Sequence, residues 1–99
     1  MLTSQKINLK KLKIAANSMK VVSHPMRFAI IQLLEAEGQL TVTEIYEKLK
    51  IDQAAASNHL NMMKSYGILE SRRFGKFTFY TIKEQALDKI IECIEKLTS

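Results

Sequence analysis

The stretch TVTEIYEKLKIDQAAASNHLNMMKSYGIL, residues 41–69, decides the fold of this chain. Thr41 is followed three residues later by Glu44, a capping box that predicts the start of a short helix. Asp52 can cap a second helix, and Gly67 is suited to a left-handed stop at its end. Two helices joined by so short a turn predict a helix-turn-helix.

The flanking segments extend this unit on both sides. Residues 4–22 have helical apolar spacing and a lysine-rich face, and a buried central helix is predicted between Pro25 and a stop at Gly38. The segments ILESRR and KFTFYTI, within residues 68–82, alternate and are rich in β-formers, which predicts a two-stranded hairpin. Residues 84–97 return to helical spacing. A hairpin directly after a helix-turn-helix is a wing.

The predicted fold is therefore mainly α (α+β): a winged helix-turn-helix of five helices, with the two-stranded wing between the recognition helix and the last helix. The 99 residues form one domain, 1–99, with the helix-turn-helix over 41–66. A single cysteine excludes an internal disulfide. We find no signal peptide and no apolar run that would span a membrane, so we expect a cytoplasmic protein.

The charge is mildly basic, +5 overall, and residues 1–23 hold five lysines and no acid. This balance is compatible with a polyanionic partner, although a lysine-rich helix face is also explained by solvation alone.

The predicted recognition helix has an unusual outward face. Helical spacing points Ala56, Leu60 and Met63 inward. The outward positions are small or polar and contain no acid: Gln53, Ala54, Ser57, Asn58, Asn61 and Lys64. Small residues allow close approach to base edges, amides pair with adenine, and a methyl group contacts thymine. The alternative is that alanine simply favours helix and the face is solvated. We interpret the pattern as DNA reading.

The tip of the predicted wing is basic. Arg72, Arg73 and Lys76 cluster there, which predicts phosphate or minor-groove contact. Protection of an edge strand by charge is the alternative. Three aromatic residues follow, and we interpret them as hairpin packing rather than as stacking platforms for single strands: Phe77, Phe79 and Tyr80.

Three stretches carry a resemblance to a known family. SHPMRFAIIQLL, the segment quoted above and SRRFGKFTFYTI are similar to the second helix, helix-turn-helix and wing of the bacterial arsenic-repressor (ArsR/SmtB) regulators. The resemblance covers about residues 4–97. It implies a homodimer formed by the first helix, 4–22, and the last, 84–97, and repression at an inverted repeat of double-stranded DNA that an inducer relieves.

The resemblance also assigns roles by matching position. It implies that Gln53, Ala54, Ser57 and Asn58 face bases, with His59 beside them. It implies that the basic wing residues hold phosphate or the minor groove.

The chain departs from the family at its metal sites. Many members have cysteines at the start of the third helix, where this chain has Thr41-Val42-Thr43-Glu44. Others bind zinc through Asp and His along the last helix, and here that helix has no histidine. We therefore predict no metal ligand and no cofactor, and the effector stays undefined.

Cys93 is the single thiol, and it borders the apolar stripe of the last helix. A free cysteine in that position is typically a small buried hydrophobe. The alternative is a thiol-responsive repressor, with a Cys93–Cys93 bridge across a dimer axis or a sulfenate.

The function predicted from these features is a sequence-specific, DNA-binding transcriptional regulator. The alternative is a winged helix that docks a protein. We find no catalytic residues, because the chain has no nucleophile–base set, phosphate-cradling glycine loop or paired carboxylates in an apolar context.

Overall fold

The computed structural model describes residues 9–98, with side chains described for residues 9–96. It confirms the predicted fold class, with helices before and after a winged helix-turn-helix. The elements are α1 (Leu9–Val22), α2 (Pro25–Glu37), β1 (Leu40–Thr41), α3 (Val42–Leu49), α4 (Gln53–Ser65), β2 (Leu69–Phe74), β3 (Phe77–Ile82) and α5 (Glu84–Thr98). Residues 4–8 of the predicted first helix lie outside the described part. Within that part, no helix has the length and apolar composition needed to cross a membrane.

Side-chain caps start the helices of the helix-turn-helix where the sequence predicts them. The Thr41 hydroxyl accepts a hydrogen bond from the Glu44 N–H (3.2 Å), and the Glu44 carboxylate accepts one from the Thr41 N–H (2.9 Å). Asp52 accepts a hydrogen bond from a first-turn N–H of α4 (2.8 Å). These caps satisfy donors that a helix start otherwise leaves unpaired, so they fix where α3 and α4 begin.

The sheet has one strand more than the predicted hairpin. β1 pairs antiparallel with β3, and the strand order is β1-β3-β2. Leu40 lies opposite Tyr80 and Thr41 opposite Phe79. A two-residue strand is too short to show alternation, so sequence periodicity missed it. Its consequence is mechanical, because it ties the start of α3 directly to the wing.

The core confirms that α2 is the central helix. Ile30, Ile31 and Leu34 are fully or almost fully buried, and α2 packs against α1, α3, α4 and β3. Apolar residues of the other elements complete the same cluster: Val21, Val22, Leu40, Ile45, Leu60, Met63, Ile68, Leu69, Ala86, Ile90 and Cys93.

Only part of the apolar pattern of α1 packs into the core. Its core face includes Ser18, Val21 and Val22, whereas Leu12 and Met19 are 57% and 48% exposed. The Ser18 hydroxyl donates to the Ile14 carbonyl (2.8 Å), which satisfies the hydroxyl inside the core. Leu9, Leu12 and Met19 are therefore exposed in the single chain, while Ile14 packs against the core.

Candidate DNA interface

The inward and outward faces of α4 follow the prediction. Ala56, Leu60 and Met63 are completely buried, which anchors the helix to the core. The predicted outward residues Gln53, Ala54, Asn58, Asn61 and Lys64 are exposed, and Ser57 is half-buried. The helix contains no acidic residue between Gln53 and Ser65. The outward face of α4 thus offers amides, a hydroxyl, a methyl and one cation without a competing negative charge.

A side-chain hydrogen bond links this face to the wing. The Lys64 ammonium in the last turn of α4 donates to the Ser71 hydroxyl of β2 at 2.7 Å. The bond holds Lys64 on the wing side of the helix, so α4 and β2 present one continuous surface. Sequence analysis did not predict this contact, because nothing in the spacing of the two residues signals it.

The wing tip has the predicted basic character. Arg72, Arg73 and Lys76 are all exposed, and Gly75 turns the chain with a positive φ of 64°. The Arg73 Nε donates to the Gly75 carbonyl (3.1 Å), which positions that guanidinium at the turn. The three cations therefore lie exposed at the turn and in the strand that leads into it.

The aromatic residues of the wing divide into two groups. Tyr80 packs against the core cluster, as predicted, and Phe79 is partly buried. Phe77 is 52% exposed and Phe74 is 77% exposed, and the Phe77 ring lies 6.4 Å from the Phe79 ring within the same strand.

His59 lies next to the recognition face, in a contact that sequence analysis missed. The His59 and His24 rings meet edge to face, with centroids 4.9 Å apart. Arg27 approaches from α2 and donates to the Met62 sulfur (2.7 Å). Its Nε is buried without a hydrogen-bond partner among the described residues. Burial lowers the pKa of the His59 imidazole, and the charges of His24 and Arg27 lower it further.

This lowered pKa predicts a stability that falls in mild acid. The folded chain therefore protonates His59 less readily than the unfolded chain, in which the imidazole has its ordinary pKa of about 6.5. The stabilisation is present above that value and is lost as the pH falls through the folded pKa. Between about pH 7.5 and 5.5, the urea midpoint of the wild type should fall more than that of His59→Gln. Parallel losses in the two proteins would contradict this role of His59.

Cys93 has the surroundings of a packing residue. Only 7% of it is exposed, and it belongs to the core cluster beside Ile90. Burial raises the pKa of its thiol, and the Glu92 carboxylate adds to that effect, while Lys96 and Lys89 oppose it. A raised pKa reduces the thiolate that reacts with oxidants and alkylating agents. These surroundings favour the interpretation of a small buried hydrophobe over a reactive thiol.

Alkylation measures this directly, because the chain has one cysteine. At about pH 8, iodoacetamide should modify native Cys93 at least about tenfold more slowly than the same residue in urea. The rates are read by mass spectrometry, and the unfolded chain is its own reference. Equal rates in the native and the unfolded chain would show an accessible thiolate and would support the thiol-responsive alternative.

No group of three or more His, Cys, Asp or Glu side chains in the described residues is arranged to hold a metal ion. The two histidines contact each other, but neither has a carboxylate or thiolate partner among the contacts of this region.

An exposed apolar stripe runs along α1. Leu9, Leu12, Ala16 and Met19 recur at helical spacing, and all are exposed. α5 packs beside α1 and adds partly buried apolar residues, including Ile91 and Ile94. An apolar stripe on a soluble helix is typical of a surface that another protein covers.

Comparisons with known proteins agree with this geometry. The model of the family described as a helix-turn-helix domain matches residues 22–72. An uncharacterised regulator of Methanocaldococcus jannaschii, MJ1325, is 34% identical over 89 residues, covering 90% of this chain and 100% of that protein. The transcriptional repressor PagR of Bacillus anthracis is 32% identical over 92 residues, covering 93% and 92% of the two chains.

Solved structures give the same result. The crystal structure of PagR matches with a TM-score of 0.75 at 31% identity, covering 91% of this chain and 99% of that one. A solution structure of the homodimeric winged helix-turn-helix domain of Mb0332 from Mycobacterium bovis, a possible ArsR-family regulator, matches with a TM-score of 0.76 at 24% identity. The match covers 99% of this chain and 90% of the Mb0332 chain.

Fold, surface and relatives together define a winged helix-turn-helix protein of the transcription-regulator class. Within that class, the chain belongs to the ArsR family. This is a family of DNA-binding regulators and not of enzymes.

Proposed function

We propose that this protein is a homodimeric repressor that binds an inverted repeat in double-stranded DNA, each protomer placing α4 in the major groove. The observation that carries the proposal is the exposed, acid-free face of α4. Gln53, Ser57, Asn58 and Asn61 offer the donors and acceptors that read adenine and other base edges. Ala54 supports the same role because its methyl group suits contact with thymine. Such a regulator works beside the chromosome, so we place it in the cytoplasm.

The dimer is proposed to form through α1 and α5. The exposed stripe of Leu9, Leu12, Ala16 and Met19 supports this, since pairing two copies would remove it from water. Mb0332 is a homodimer, and the first and last helices of this chain lie side by side. A two-fold dimer explains an inverted repeat, because operator symmetry mirrors protein symmetry.

The wing is proposed to hold phosphate or the adjoining minor groove. Arg72, Arg73 and Lys76 support this role because they are exposed together at the tip. Lys64 belongs to the same surface, since it is hydrogen-bonded to β2. His59, half-buried against His24, is proposed to border the base-facing residues and to set the distance between α4 and the start of α2.

Loss of the wing cations should lower the affinity for every DNA sequence to a similar extent. In Arg72→Ala/Arg73→Ala, log Kd should depend less steeply on log salt, by about 0.9 for each phosphate contact removed. Fluorescence anisotropy at several salt concentrations measures the slope. Lys48→Ala removes a cation from α3, away from the wing and from the proposed dimer helices, and should leave the slope near that of the wild type. An unchanged slope in the arginine variant would exclude the wing from the interface.

The proposal is tested by recovering bound fragments of the source genome with purified, reduced protein at moderate salt. Enrichment of an inverted repeat is expected, with half-sites centred about 10 base pairs apart or at a multiple of that spacing. Absence of enrichment at any salt, with salt-insensitive capture of a protein, would instead favour the winged helix as a protein-docking module.

A further inference from the structure

A cationic cavity lies away from the base-facing end of α4. It has a volume of about 280 Å³ and opens where α1, the end of α4 and the start of α5 meet. Lys10, Lys13 and Lys83 line it, and the residues that line it include no acid. No acidic side chain of the described residues forms an ion pair with any of the three. Three ammonium groups around one concave space favour an anion.

The wall of the cavity is not only charged. Ile14 and Tyr66 supply an apolar surface, and Asn17 also lines the cavity. The Asn17 amide donates to the Tyr66 carbonyl at 3.1 Å, and the Lys20 ammonium lies 5.6 Å from the centre of the Tyr66 ring. Ligand sites combine such an apolar lining with a few polar groups that fix orientation. A cavity of about 280 Å³ has room for a small organic molecule.

We propose that this cavity binds a small organic carboxylate with an apolar body. The carboxylate lies among the ammonium groups of Lys10, Lys13 and Lys83, and the apolar body lies against Ile14 and Tyr66. A DNA backbone is a poorer occupant, since a concave space with an aromatic wall suits a compact ligand. α4 rises about 20 Å from Gln53 to this end, so the cavity lies apart from the base-facing residues in the first two turns of α4.

A ligand in this position could change the affinity of the protein for DNA. This effect on DNA binding rests on the proposed function. Tyr66 and Gly67 end the recognition helix, while Lys10, Lys13 and Asn17 belong to the proposed dimer helix. A ligand that binds one arrangement of these helices better than another shifts the angle at which the dimer presents α4. The ligand therefore acts as an effector, and binding itself is measured without DNA.

The experiment titrates ¹⁵N-labelled protein with benzoate at constant ionic strength and follows amide shifts by NMR. We expect saturable shifts at Asn17, Gly67 and Gln85, with a Kd of about 1 mM or lower. Benzamide, the neutral isostere, should bind at least about tenfold more weakly, because it lacks the charge. Inorganic phosphate should also bind more weakly, because it leaves the apolar wall uncovered.

Two variants and one matched control locate the site. Lys13→Gln and Lys83→Gln should each raise the benzoate Kd at least about fivefold. Lys48→Gln makes the same charge change on α3 and should stay within about twofold of the wild type. Shifts that never saturate, equal binding of benzamide or phosphate, or equal loss in Lys48→Gln would overturn the proposal. None of these results depends on DNA, so failure here leaves the proposed repressor function separately testable.

Discussion

Ser57→Ala/Asn58→Ala should lose most of its preference for the operator while keeping its affinity for unrelated DNA. Both side chains lie on the outward face of α4, where one good base contact discriminates by about 1–3 kcal/mol. Because a dimer presents the face twice, the loss is about 2–6 kcal/mol, or roughly 30-fold or more in Kd. Binding to shuffled DNA depends mainly on phosphate contacts and should change little.

The measurement is a pair of anisotropy titrations, one with the recovered operator and one with shuffled DNA, at the same salt. Gln32→Ala truncates an exposed polar residue of α2 and should bind both DNAs like the wild type. Thermal unfolding checks that the double variant is folded. An equal loss on both DNAs would mean that these residues do not read bases.

Leu12→Glu should produce a folded monomer. Leu12 is 57% exposed in the single chain and lies in the middle of the apolar stripe of α1. In the proposed dimer, a glutamate there would bury a charge without a partner, which is costly. With about 2 kcal/mol lost for each of two copies, the dimer dissociation constant should rise roughly 10³-fold. In the monomer, the change affects an exposed position and should leave the fold intact.

Sedimentation equilibrium gives the dissociation constant, and circular dichroism reports the fold. Ala36→Glu, an exposed alanine-to-glutamate change on α2, should remain dimeric. Operator affinity should fall together with dimerisation in Leu12→Glu, because one protomer contacts only one half-site. A Leu12→Glu protein that still sediments as a dimer would remove α1 from the proposed interface.

Local chemistry explains why so much of the fold was predictable. Thr41, Asp52 and Gly67 mark helix boundaries through hydrogen bonds and a backbone angle that depend only on near neighbours. The inward face of α4 follows from helical periodicity, so Ala56 and its opposite face were assigned correctly. The chemical character of the candidate interface could therefore be predicted from the sequence, although its geometry could not.

Contacts between distant residues were not predictable in the same way. The approach of His24 to His59, the Lys64–Ser71 bond and the pairing of β1 depend on how whole elements pack. The exposed stripe of α1 is a related case. Apolar periodicity predicts that one face of a helix is packed against something, but it does not say whether that is the same chain or a second copy. The cationic cavity likewise needs three separate elements to meet.

The most direct test of the central claim is the ratio of two dissociation constants for the wild-type protein. One is for the recovered inverted repeat, and the other is for shuffled DNA of the same length and composition at the same salt. If α4 reads base edges, the inverted repeat should bind at least about 10³-fold more tightly. A ratio near one, with both affinities falling equally with salt, would show binding to phosphate alone and would contradict base reading by α4.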